Sequence, residues 1–142
     1  MNQQQLIYRI GTGKGLGLVI GILGYISLPY FVDQPCLLTR VGVLLWYPTV
    51  GAFIGVFGVF AKHPILNLPM HWYFRGALIG GWMNLLLVLF AYDQFVQLTD
   101  SWNHAYGLYI SPYWLILEGV IIGMAMDYLL TRWFGEGLPN GS

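Results

Sequence analysis

The sequence predicts an all-α integral membrane protein, an antiparallel four-helix bundle whose helices each cross the bilayer. Three observations predict it. Only 8% of the residues are charged and 57% are hydrophobic, whereas a soluble domain carries roughly 25% charged residues. Residues 15–32, 41–61 and 76–92 contain no charge, and each run suits the ~20 residues (about 17–25) that a spanning helix needs. The apolar runs are continuous rather than alternating, which favours helices over barrel strands. The mean hydropathy of +0.63 agrees.

The first span is expected over residues 13–32. Arg9 and Lys14 precede its apolar run, residues 15–32, as in a signal peptide, but that run is longer than a signal core and no A-x-A cleavage pattern follows. The second span is expected over residues 41–61 and the third over 75–92. The fourth, over 110–130, is the least apolar because it contains Glu118 and Asp127. Between spans two and three, residues 62–74 hold Pro64 and Pro69 among apolar residues and suit a segment lying in the headgroup layer. Residues 92–109 form the longest polar stretch and are long enough for a short surface helix. The chain reads as one membrane domain over 1–142 with no linker.

Basic residues orient the spans. Arg9, Lys14, Lys62, Arg75 and Arg132 fall on one side, and only Arg40 falls on the other, with Asp33, Asp93, Asp100 and His104. Basic loops stay cytoplasmic, so both termini are expected in the cytoplasm of an inner (plasma) membrane of the bacterial type.

Each span repeats one signature: Gly17 to Gly21, Gly51 to Gly55, Gly76 to Gly80 and Gly119 to Gly123, all of the form G-x-x-I-G. Glycines four apart share one helix face and let another backbone approach closely, a main source of helix association in lipid. The strips suit packing within one chain, or assembly with copies of itself or with other membrane subunits.

Ionisable residues at membrane depth are the functional candidates, because a buried carboxylate is costly there unless paired or wetted. Counting from the charge boundaries puts Glu118 near mid-membrane, level with residues 84–87, so Asn84 is its expected hydrogen-bond partner. Asp127 lies nearer the inner boundary, level with Arg75. An ion pair is expected there, with Arg132 as competitor.

Other features point away from known chemistries. The basic residues are single and the net charge is zero, so no nucleic-acid surface is expected. Cys36 stands alone, which excludes an internal disulfide. His63, His71 and His104 fall in loops, so a helix-borne haem is not expected. Gly11–Gly17 lacks the order of a phosphate loop. Asn140–Ser142 spells a glycosylation sequon, but on the expected cytoplasmic side. Asp93, Asp100 and His104 suit a solvated helix face. No nucleophile–base arrangement is evident, and no enzyme activity, cofactor or metal is expected. The expected function is a non-enzymatic scaffold or accessory subunit assembling through its glycine faces. The alternative is an oligomeric ion- or proton-coupled channel or transporter using Glu118 and Asn84.

The orientation is checked with Cys36. A membrane-impermeant maleimide should label it from the non-cytoplasmic side; labelling from the cytoplasm alone reverses the assignment.

Overall fold

A computed structural model of the chain describes residues 3–31, 35–60, 62, 65, 67–107 and 109–136. Five helices form in the order α1 (Gln3–Phe31), α2 (Leu37–Phe57), α3 (Trp72–Phe90), α4 (Tyr92–Tyr106) and α5 (Trp114–Phe134). All but α4 are long and apolar enough to cross a membrane.

The helix bounds differ from the expected spans for identifiable reasons. α1 begins at Gln3 rather than near residue 13, because Gln, Leu and Ile are sound helix formers and Arg9 turns inward, where it is fully buried. α3 and α5 are displaced in opposite directions along the sequence, to 72–90 and 114–134 from the expected 75–92 and 110–130. Pro112 is buried just ahead of α5 and has no N–H to give. Gly135, at φ +78, ends that helix. The expected ends at 32 and 61 lie outside the described residues, as do Asp33, His63, Pro64 and Asn140–Ser142.

The helices associate as two close pairs. Glycine makes this possible, because the partner backbone occupies the space a side chain would need. A Cβ added to Gly13 would collide with the carbonyl of Gly51, one on Gly17 with that of Tyr47, and one on Gly21 with that of Leu44. The partner number falls along α2 as it rises along α1. Pro48, inside α2, removes the N–H that would have bonded the Leu44 carbonyl. That freed carbonyl faces Gly21. The second pair follows the same rule: Gly76 meets Gly123, and Gly80 meets Gly119.

All eight signature glycines are buried against a helix of the same chain. The signature strips thus pack helices of one chain against each other, the first of the two uses expected for them.

The two pairs, α1 with α2 and α3 with α5, meet each other much more sparingly. Val50 and Ile54 of α2 form a small core with Met126 and Leu130 of α5. Large apolar side chains such as Leu23, Trp82 and Ile121 remain exposed on the outside. α4 lies at the end of the bundle where α3 finishes and α5 starts.

Substitutions should separate the two classes of glycine. Gly80→Leu has to displace the Gly119 backbone and should destabilise the fold by on the order of 1–3 kcal/mol or more. Gly15 has open space around it, so Gly15→Leu should leave thermal unfolding unchanged. Equal unfolding temperatures for the two variants would refute close packing at Gly80.

Candidate functional site: a cavity above Glu118

The two acidic residues of α5 are nine positions apart, about two and a half turns at 3.6 residues per turn, so they point to opposite sides of the helix. They lie in two different environments.

Asp127 is fully buried and holds two arginines. Its Oδ2 accepts from Arg75 Nε at 2.7 Å. Its Oδ1 accepts from Arg75 Nη2 at 2.9 Å and from Arg9 Nη2 at 2.7 Å. Arg75 thus binds in the two-pronged geometry that makes such pairs strong. Thr131 Oγ1 accepts from Arg9 at 3.3 Å and from Arg75 at 3.2 Å. Arg9 also donates to the Gly135 carbonyl at 2.6 Å, beyond the last turn of α5. Phe60 and Met70 close the cluster by accepting from Arg75 Nη1 at 3.4 and 3.5 Å. Arg132 is exposed and does not pair with Asp127. Arg9 was not assigned here from sequence, because it was read as a flanking charge. None of the ion-paired side chains is exposed, so the cluster joins helices and offers no surface to a ligand.

Glu118 faces a cavity. The expected bond between Glu118 and Asn84 does not form. The Gly76–Gly123 and Gly80–Gly119 contacts set a register in which Asn84 lies opposite Leu115 and Glu118 opposite Gly81. Asn84 Nδ2 donates to the Leu115 carbonyl at 2.8 Å, and its Oδ1 accepts from Trp46 Nε1 at 3.0 Å. Glu118 instead accepts from the Tyr47 hydroxyl at 3.0 Å. No basic side chain among the described residues pairs with it.

The cavity holds about 370 Å³ between the two helix pairs. Tyr47 and Glu118 belong to its wall, with Trp46, Trp114, Leu28 and Val43 as apolar surface. α4 covers it. Phe95, Leu98, Thr99 and Trp102 recur at helical spacing and line the cavity. Asp93, Asp100 and His104 are exposed, and their spacing sets them on the opposite side of α4. Trp102 Nε1 donates to the Phe31 carbonyl at 3.1 Å, and the two rings lie 5.0 Å apart. Asn103 Oδ1 accepts from the Ile110 N–H at 2.7 Å, tying α4 to the segment that leads into α5. Gly107, at φ +65, ends α4 in the left-handed conformation.

Among the described residues no three His, Cys, Asp or Glu side chains gather as a metal site. Comparison with protein-family models, with curated proteins and with solved structures found no match.

The ion cluster generates a stability test. Asp127→Asn leaves two buried guanidinium groups without a counter-charge and should destabilise by about 3–5 kcal/mol. Thr131→Val removes one acceptor shared by both arginines and should cost about 1 kcal/mol. Denaturation of the two variants in the same detergent checks the order; an Asp127→Asn protein as stable as Thr131→Val would show that the cluster does not hold the pairs together.

Proposed function

We propose that this chain is a membrane-embedded binding protein, an antiparallel four-span bundle that holds a mostly apolar molecule bearing one amine in the cavity beneath α4. The carrying observation is Glu118: a carboxyl without a basic partner among the described residues, at the wall of an apolar, aromatic cavity of ligand size. Ligand sites are typically about 300–1,000 Å³, largely apolar, with few polar groups fixing orientation. Tyr47 holds one oxygen of Glu118 and so aims the carboxyl. A protonated amine is the group such a carboxylate recognises best, through a charge-assisted hydrogen bond.

Binding is preferred to conduction because the bundle closes on the far side of Glu118. There Val50, Ile54, Met126 and Leu130 fill the space between the pairs, and the arginine cluster follows. Basic residues crowd the cluster end, which supports a cytoplasmic location for that end and an outward-facing cavity. The scaffold or accessory-subunit reading has one observation in its favour. Gly11 and Gly15, four residues apart on α1, are exposed with open space around them. Loss of assembled mass in Gly15→Leu with the fold intact would be its signature.

Glu118→Gln tests the leading reading, because the amide keeps an acceptor for Tyr47 and loses the charge. In detergent, quenching of tryptophan fluorescence should show wild type binding octylamine roughly tenfold or more tighter than octanol. The variant should bind both alike. An amine preference that survives in Glu118→Gln would show that Glu118 does not recognise the amine.

A further inference from the structure

A second cavity of about 270 Å³ adjoins the first. Val43, Trp46, Leu87, Phe95 and Leu98 line both, so a single layer of side chains separates this second lobe from the first. The second lobe runs between α2 and α3 beneath the start of α4. Its own residues include Leu38, Gly42 and Ala91, with Thr39 and Gln94 as polar groups. α2 and α3 come apart here because neither belongs to the other's glycine-bonded pair. Gly42 contributes no side chain and has open space around it.

Along α2, Tyr47 and Leu38 are separated by about 13 Å at ~1.5 Å per residue. The two lobes therefore offer a carboxyl at one end, apolar side chains around Trp46 between them, and a hydroxyl and an amide near the other end. Resting on the proposed amine site at Glu118, we infer that the ligand is elongated: a long-chain amino alcohol or similar molecule with its amine at Glu118, its hydrocarbon parting the side-chain layer at Trp46, and a second polar end between Thr39 and Gln94. A compact amine would fill only the first lobe and leave the second without purpose for recognition. A plain alkyl amine would leave Thr39 and Gln94 facing a hydrocarbon end.

The probe is a dodecyl chain with an amine at one end, a hydroxyl at the other, and a photoreactive diazirine beside the hydroxyl. It is added to the full chain in lipid nanodiscs, with and without an excess of the unlabelled compound. Mass spectrometry of the irradiated protein should find competed labelling in residues 38–42 and 91–94. Gly42→Leu should abolish that labelling by filling the second lobe, while octylamine still binds the variant as it binds wild type. Competed labelling confined to the first lobe, around Leu28 and Leu115, would overturn the elongated ligand and leave the amine site standing. Octylamine binding to wild type without any competed labelling by the probe would also overturn it. If neither compound binds, the amine site itself fails and this inference fails with it.

Discussion

The carboxylate of Asp127 is the interaction on which the arrangement of this protein depends. In a bilayer, helices gain nothing by hiding apolar surface from water, so close packing and polar bonds must hold them together. Glycine contacts satisfy that need within α1–α2 and within α3–α5, and leave the two pairs poorly joined. Asp127 joins them by accepting from Arg9 of α1 and Arg75 of α3 while standing on α5. One carboxylate does not neutralise two guanidinium groups. Further donors reach carbonyls past the helix ends, Arg9 to Gly135 after α5 and Arg75 to Phe60 after α2, while Arg9 Nε is left without an acceptor. A helix C-terminus carries the equivalent of roughly half a negative charge, so the nearby ends of α2 and α5 lessen the surplus. The cluster thus requires α2 and α5 to finish at the same level as Arg9 and Arg75.

Fixing one end of the bundle in this way allows the other end to open. The core between the pairs is made by Val50, Ile54, Met126 and Leu130, all toward the cluster end of α2 and α5. Beyond it, the polar links between the pairs among the described residues are single hydrogen bonds, from Trp46 to Asn84 and from Tyr47 to Glu118. α5 also starts late, at Trp114, level with the body of α3 rather than with its end. The space left by that late start is the cavity, and α4 covers it with the apolar face of an otherwise polar helix.

The sequence made the four long helices legible because charge is scarce and marks where apolar runs stop. The same reliance on charge hid Arg9, which was read as lying outside the first span although it sits inside α1. It also misplaced Glu118. Depth counted from charge boundaries put Asn84 beside it, whereas depth counted from the glycine signatures puts Gly81 there. Aligning Gly76 and Gly80 with Gly123 and Gly119 in opposite directions was the signal that could have found the true register. Tyr47 as the partner of Glu118 was not legible, because it depends on how α2 meets α5 across pairs. The cavity was not legible for the same reason, although the recurrence of Phe95, Leu98 and Trp102 in the polar stretch gave a hint of a covered face.

Two acids on one helix therefore illustrate how location decides role. A buried carboxylate removed from its cations leaves them uncompensated, and the resulting penalty ties Asp127 to structure. Glu118 carries no such tie, since its hydrogen bond is to the neutral Tyr47 and no basic side chain among the described residues pairs with it. A carboxyl is costly in hydrocarbon unless something meets it, and the helix pairs part beside Glu118. The sealed cluster and the open cavity are consequences of one arrangement: joining the pairs firmly at one end lets them part around Glu118 at the other.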